Sequence, residues 1–383
     1  MRILFVNAVG FIGGAETWIV HLAGRLAARG HAIEVAHDPA SPLGELARAA
    51  GARAWTPRGG FRGVVRSAAS LAREIRRGRY DVVVSTSRSD LKLAGFAARL
   101  AGHPGVVARL NSGWSPAERV VMRGSRWRRH RWYHRHLVQL AATNSVAGKA
   151  DLVARGYLPE DRVTVIYNGV DGERFDPDRT ERGRFRAELG IEGDAELVVS
   201  LARFAPGRGL DAVVDALAAL AARRPDLHAV MVGSCRRRHE PFRAELAARA
   251  AGLPGGERVR FLSSRDDVPW VLADTDVLVR VLSTEGLANV VLEAMAMRVP
   301  VVAAQISGMP EVVEDGSTGR LVPPGDAPAI VAAVEDILEL SAAGRRALVE
   351  RARGRVLERF GMDRMVDDYE TLFERATAER RFP

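Results

Sequence analysis

Cysteine is nearly absent from this 383-residue chain: Cys235 stands alone, so no internal disulfide can form and no cysteine-based metal cage can be built. No secretory leader is expected either, because the opening apolar run, Ile3 to Val6, is far shorter than a signal-peptide core and runs into Gly10, Gly13 and Gly14. Together these features predict a reducing, cytoplasmic setting. No stretch approaches ~18 uninterrupted apolar residues, so no bilayer-spanning helix is expected. Lysine is scarce as well. Lys92 and Lys149 are the only lysines among 56 basic residues set against 47 acidic ones, and the net charge of +9 is therefore carried by guanidinium groups. Guanidinium suits bidentate contact with phosphate or carboxylate, so an anionic partner accounts for the excess. A bias of genomic base composition accounts for it equally, and only local placement separates the two.

The composition is otherwise that of a folded globular protein, 47% hydrophobic and 27% charged, and the length predicts two domains. Short β-branched runs alternate with alanine- and arginine-rich helical stretches, the pattern of parallel sheets covered by helices on both faces. Ile3–Val6, Ile33–Ala36, Asp81–Ser85 and Val106–Leu110 read as strands of a first series, with helices near 16–29, 64–77 and 91–101. After the polar stretch Asp171–Arg184 the order restarts. Leu197–Leu201, His228–Val232, Val259–Leu262, Val277–Val281 and Pro300–Ala304 read as strands, with Leu210–Ala222, Glu240–Ala251, Val268–Ala273 and Ala288–Met297 as helices between them. The expectation is two Rossmann-like, doubly wound domains facing an interdomain cleft: 1–170, a linker at 171–184, and 185–360.

The strongest local signal runs from Ser283 to Met297, where Glu285 and Glu293 flank Gly286, Leu287, Ala288 and Asn289. Glu285 and Gly286 look like a turn after a strand, and a helix is expected to begin near Leu287. Its unpaired amide groups and positive dipole end form an anion site. At ~1.5 Å rise per residue, Glu293 lies roughly 9 Å further along. That spacing suits a nucleotide diphosphate sugar: Glu285 for sugar hydroxyls, the amides near Ala288 and Asn289 for phosphate, Glu293 for ribose. Arg203 and Arg208 follow the strand Leu197–Leu201 in a loop ending Gly207-Arg208-Gly209, well placed to neutralise a diphosphate. The glycine loop Gly10 to Glu16 lets backbone approach a ligand closely but lacks the Gly-x-Gly-x-x-Gly spacing of a dinucleotide site.

These residues together resemble the retaining family 4 glycosyltransferases of the GT-B fold, over nearly the whole chain. The matching pieces are Gly13-Gly14-Ala15-Glu16, Thr143 to Ala147, Val165 to Asp171, Leu201-Ala202-Arg203 with Arg208-Gly209, Glu285 to Glu293, Gly308 to Glu311 and Asp315 to Gly319. The resemblance implies that Arg203 and Arg208 bind the donor diphosphate and stabilise the leaving group, that Glu285 contacts the sugar, and that Glu293 contacts the ribose. It implies further donor contacts at Gly14, Gly286, Leu287, Ala288 and Asn289, and backbone contact with the base near Leu262 and Ser263. A helix over 361–383 is expected to cross back to the first domain. The sequence departs from the family in four places: Arg208 replaces a lysine, Val281-Leu282 a Pro-Ser pair, and Ser307 a glycine. Arg109 to Gly113 stands where many members place a histidine, which makes Arg109, Asn111 and Asn168 the acceptor-side candidates.

Asp274-Thr275-Asp276 has the form of an Asp-x-Asp metal site, yet its place before a strand matches a structural aspartate of this fold, and neither metal nor cofactor is expected. The segment Arg123 to His136 mixes arginine with Trp127 and Trp132, a composition suited to an anionic membrane surface or a phosphate-bearing acceptor. The activity implied is transfer of a sugar, with retention, from a nucleotide diphosphate sugar to a glycan, lipid-linked or other cell-envelope acceptor at the inner face of the membrane. A phosphorylase or nucleotide-sugar epimerase could use the same cleft. A noncatalytic nucleic-acid binder would explain the charge but not the paired glutamates, so nucleic acid is not the expected partner.

Overall fold

A computed structural model describes residues 1–11, 13–57, 61, 64–103, 105–111, 125–284 and 286–379, without the side chains of 64–66, 88–89 and 125–127. The chain divides into two compact units. Residues 1–111, 125–168 and 363–379 belong to one, and Gly169–Met362 form the other.

The first unit is built on seven parallel strands in the order β3-β2-β1-β4-β5-β6-β7. They are β1 (Arg2–Asn7), β2 (Ala32–His37), β3 (Arg53–Trp55), β4 (Val82–Ser85), β5 (Val106–Arg109), β6 (Val138–Thr143) and β7 (Val163–Val165). Central strands are buried on both faces, as β1 and β4 show, which is why they read as unbroken apolar runs. Three strands, β3, β6 and β7, carry no such run in the sequence. β6 starts directly where helix Ser125–Leu137 ends, with no glycine or proline between them. The C-terminal helix Met362–Ala378 is part of this unit. Its Tyr369 packs edge-on against Trp18 at 5.1 Å, Asp363 and Asp367 pair with Arg25 and Arg29, and Ala376 carbonyl accepts from Gln139 at 2.7 Å.

Six parallel strands form the second unit, in the order β10-β9-β8-β11-β12-β13. These are β8 (Glu196–Leu201), β9 (Leu227–Gly233), β10 (Val259–Ser263), β11 (Val277–Arg280), β12 (Val301–Ala304) and β13 (Arg320–Val322). Helices Leu210–Arg223 and Ala327–Leu338 cover one face, meeting Val277, Val279 and Val302 in a single apolar core. Val281 and Leu282, the pair that stands in for Pro-Ser, are fully buried in that core. Ser307 holds φ of +50°, the left-handed region that glycine occupies without cost, so the residue usual in the resembled family has a steric basis here.

Asp274 and Asp276 are structural. The Asp274 carboxylate, 1% exposed, accepts from the amides of Gly183, Phe185 and Arg186 at 2.5, 2.7 and 3.1 Å, capping helix Arg184–Leu189 from outside. Asp276 accepts from Leu197 amide at 2.8 Å and from Arg186 at 2.5 Å. Hydrogen bonds to a buried charge are worth about 1.5 to 3 kcal/mol, and their loss strands buried amide donors. Asp274→Ala is therefore expected to destabilise the protein by about 3 kcal/mol, read as a lowered urea midpoint. Loss of under 0.5 kcal/mol would show that this carboxylate caps nothing.

Candidate active site

In a parallel sheet wound by right-handed crossovers, every strand-to-helix loop leaves from the carboxyl edge. β8 and β11 are neighbours, but β8 leads to β9 on one side and β11 leads to β12 on the other, so their loops part. Ligands of open α/β sheets bind where strand order reverses in this way.

Arg203 and Arg208 stand on one lip of that opening. Phe204 fixes the loop: its amide donates to Ser234 carbonyl at 2.9 Å, and its ring packs on Phe261. Gly207 and Gly209, at φ of +73° and +76°, turn the chain into helix Leu210–Arg223. The other lip is stitched on by Ser283, whose amide donates to Arg208 carbonyl at 2.9 Å and whose hydroxyl donates to Gly207 carbonyl at 3.4 Å. Arg203 Nε is buried and has no hydrogen-bond partner among the described residues. A buried guanidinium donor at a helix-lined sheet edge is a ready acceptor site for an anion.

Beyond Ser283, Glu285 lies outside the described residues. Gly286 is half-buried, Leu287 and Ala288 are buried, and Asn289 opens the helix Asn289–Ala296. The helix thus starts two residues later than expected, because Leu287 and Ala288 are drawn into the core as a loop and Ala288 serves as N-cap. Ala288 itself offers no side-chain cap. Glu293 accordingly sits about 6 Å from the first helical residue, one turn rather than nearly two. Burial pushes the half-buried Glu293 carboxyl up to about 7, against the opposing pull of the Arg174 and Arg280 guanidinium groups. Leu262 and Ser263 end β10, two strands from β8 and so roughly 10 Å along the same edge.

The remaining candidates lie in the first unit: Gly14 where strand order again reverses, between β1 and β4, Arg109 and Asn111 at the end of β5, and Asn168 after β7. Gly14 is the first residue of helix Gly14–Ala28. The loop before it is tied at both ends: Glu16 accepts from Gly13 amide at 2.9 Å and from Asn7 at 2.9 Å, while Asp90 accepts from Ala8 amide at 2.7 Å. Asp90 is fully buried, takes further bonds from Thr86 and Ser87, and is pushed up to about 6 by burial. The structure brings Arg109, Asn111 and Asn168 together. Arg109, 4% exposed, lies 4.3 Å over the Trp18 ring and donates to Asn168 Oδ1 at 3.0 Å. Asn111, its side-chain oxygen turned to the guanidinium, accepts at 3.0 and 3.1 Å. Burial pulls the Arg109 pKa down, while Tyr369 and Glu16 oppose that shift.

Sequence reasoning did not single out Asp90, Trp18, Tyr369, Arg174 or Arg280. Only Glu16 carried a local signal, three residues after Gly13 as in a capping box. A cavity of about 520 Å³ between Arg2, Arg53, Trp55 and Tyr80 is separate from both sheet edges described above. Its Glu34 accepts from Trp55 Nε1 at 2.9 Å and pairs with Arg2 and Arg53 at 3.5 Å, which makes it a structural carboxylate.

Glu293 generates a test. Between the ordinary carboxylate pKa and about 7, the folded chain keeps a proton that the unfolded chain has lost, so stability falls as pH rises through that window. Glu293→Gln should remove this dependence and raise stability at pH 8 by about 1 kcal/mol, solvent screening included. Parallel stability profiles of the two proteins from pH 5 to 8 would contradict the burial of a charge here.

Two family models match the chain in tandem: Glycosyltransferase Family 4 over residues 12–174 and Glycosyl transferases group 1 over residues 181–355. A GDP-mannose-dependent alpha-(1-6)-phosphatidylinositol monomannoside mannosyltransferase of Mycolicibacterium smegmatis is 36% identical over 211 residues, 53% of each chain. The lipopolysaccharide core biosynthesis mannosyltransferase LpsB of Rhizobium meliloti is 30% identical over 249 residues, 63% of this chain and 69% of LpsB. The chain thus spans about half the length of the first relative and about two thirds of the second. Among solved structures, Anabaena HepE in complex with UDP-glucose superposes with a TM-score of 0.83 at 23% identity, covering 98% of this chain and all of that one. WaaG, a glycosyltransferase involved in lipopolysaccharide biosynthesis, superposes at 0.71 with 19% identity over 97% of this chain and 99% of WaaG.

Proposed function

Because the chain belongs to the family 4, group 1 glycosyltransferases and has the GT-B fold, we propose that it moves a sugar from a nucleoside diphosphate sugar to a glycan, lipid-linked or other cell-envelope acceptor. The observation that carries this reading is the buried Nε of Arg203, without a hydrogen-bond partner among the described residues, beside the Arg208 loop at the sheet edge from which the loop to helix Asn289–Ala296 also leaves. In this reading Arg203, Arg208 and the first amides of helix Asn289–Ala296 take the diphosphate, Glu293 the ribose hydroxyls, and the end of β10 at Leu262 and Ser263 the base. Glu285 and Gly286 address the sugar. The relatives' names, which speak of GDP-mannose, UDP-glucose and lipid or lipopolysaccharide acceptors, support the donor and acceptor classes.

Transfer proceeds with retention. The bond from the anomeric carbon to the diphosphate oxygen breaks, the acceptor oxygen bonds the same face, and the acceptor's proton passes to the leaving phosphate. Asp274 and Asp276 are engaged with backbone and Arg186, so no divalent metal is assigned and the growing charge falls to the two arginines. Arg203→Ala or Arg208→Ala should lower kcat by roughly a hundredfold with little change in Tm. Arg208→Lys should stay within about tenfold of the parent, since it keeps the cation. The decisive experiment is product analysis with labelled donor sugars, with and without a chelator. An epimerised or phosphorolysed donor without transfer, or a strict metal requirement, would overturn the reading.

Arg109, Asn111 and Asn168 are proposed to present their polar cluster to the acceptor. The basic helix Ser125–Leu137 is proposed as a peripheral contact with anionic membrane. Arg128 and Arg129 are exposed and Trp132 is 48% exposed. Arg131 and Arg135 are instead committed to the Gly156 carbonyl, at 3.2 and 3.1 Å, so they hold the fold and are removed from the membrane surface. Arg123 and Gly124 lie outside the described residues, as do the side chains of Arg126 and Trp127. No described helix is long and apolar enough to cross a membrane. Since a surface arginine is worth ~1 kcal/mol on anionic lipid, Arg128→Ser with Arg129→Ser should weaken binding to phosphatidylserine vesicles about thirtyfold at low salt. Nucleotide affinity should not change. Equal vesicle binding by the variant would remove this helix from the membrane contact.

A further inference from the structure

The donor site as read above uses two arginines from the loop after β8. A third guanidinium stands in the same opening. Arg280 is the last residue of β11, pairs in register with Ala303 of β12, and is the one charged residue in a strand otherwise made of Val277, Leu278 and Val279. Such a position in a buried parallel strand normally takes an apolar side chain. Arg280 Nη1 donates to Leu201 carbonyl, the last of β8, two residues before Arg203. It therefore bridges the two strands whose loops part, at the point where they part. On its other side the helix Asn289–Ala296 packs against β11, and Arg280 acts electrostatically on Glu293.

We propose that Arg280 is a positioning residue of the donor site, clamping the end of β8 beside Arg203 and holding the Glu293 carboxylate in the ionised form that accepts ribose hydroxyls. The proposal rests on the donor-site reading for what Glu293 binds, but the clamp itself does not.

Two guanidinium groups act on Glu293, Arg174 the more strongly and Arg280 from the end of β11. From the segment after β7, Arg174 also lowers the Glu293 pKa, and Arg174 is held at Asp266 carbonyl, 3.4 Å away. β12 presents only Val301, Val302, Ala303 and Ala304. Helix Ala342–Arg359 packs on the far end, where Arg353 is bound to the Ala296 carbonyl and pairs with Asp176 at 3.4 Å. Without Arg280, the carboxyl keeps its burial and loses one of the two cations that oppose it.

Two measurements test this, one of which needs no ligand. The stability difference between the parent and Glu293→Gln, followed from pH 5 to 9 without nucleotide, reports where Glu293 ionises. In an Arg280→Leu background that midpoint should move up by about one pH unit, and Arg280→Lys should restore most of the difference. An unmoved midpoint would overturn the electrostatic half of the proposal whatever the protein binds. Titration calorimetry with UDP, GDP and ADP gives the second readout. For the nucleotide the parent binds, Arg280→Leu should weaken affinity about tenfold at pH 7, less at pH 9, and less than twofold when Glu293 is already Gln. An equal tenfold loss in both backgrounds would mean that Arg280 acts without Glu293, and the assignment fails. If the parent binds none of the three, it is the donor-site reading that falls, while the ligand-free midpoint still decides the role of Arg280.

Discussion

Right-handed crossover between parallel strands is the constraint on which the rest depends. It sends every strand-to-helix loop to one edge of each sheet, and where the winding reverses direction it leaves two adjacent strands whose loops diverge. In the second unit these are β8 and β11, and the residues there are stitched together by the Ser283 amide on Arg208 carbonyl and the Arg280 guanidinium on Leu201 carbonyl. In the first unit they are β1 and β4, joined by Asn7, Thr86 and Asp90. Polar groups gather at these two places because the carboxyl ends of buried strands leave backbone donors and acceptors that no neighbouring strand satisfies.

Burial then sets the chemistry of each carboxylate according to its donors. Asp274 takes three amide donors and is a cap, whereas Glu293 has burial pressing on it and only distant guanidinium charge in return. Asp90 lies between these cases, fully hydrogen-bonded yet still raised. A carboxylate left short of partners is unfavourable for stability and useful for a ligand that brings hydroxyl donors of its own.

The arginine excess also resolves into local tasks. Arg353 binds the carbonyl of Ala296, Arg258 that of Ala221, Arg355 those of Val312 and Glu311, and Arg162 those of Val138 and Gln139. Several of these are the orphan carbonyls at helix ends, where cationic side chains are favoured. A guanidinium with its planar fork can span two such oxygens, which an ammonium cannot do in the same geometry. Part of the positive charge that suggested an anionic partner thus belongs to the scaffold, whereas Arg128 and Arg129 are among the arginines left exposed.

The alternation of apolar runs with helical stretches determined two parallel-sheet units, because a strand buried on both faces must be apolar throughout. Glycine and carboxylate spacing determined which loops carry the glycosyltransferase motifs. β3, β6 and β7 were hidden, since the short edge strands β3 and β7 and the alanine-bearing β6 owe their form to their neighbours' hydrogen bonds rather than to their own residues. An amphipathic pattern states that Met362–Ala378 has a face to bury and not which surface receives it; only the fold set Tyr369 against Trp18 and Arg109. The same holds for Arg280. In the sequence it is one arginine of many, and its place beside Leu201 and Glu293 exists only once β11 is paired with β8, because electrostatic and hydrogen-bond partners far apart in sequence are chosen by the sheet.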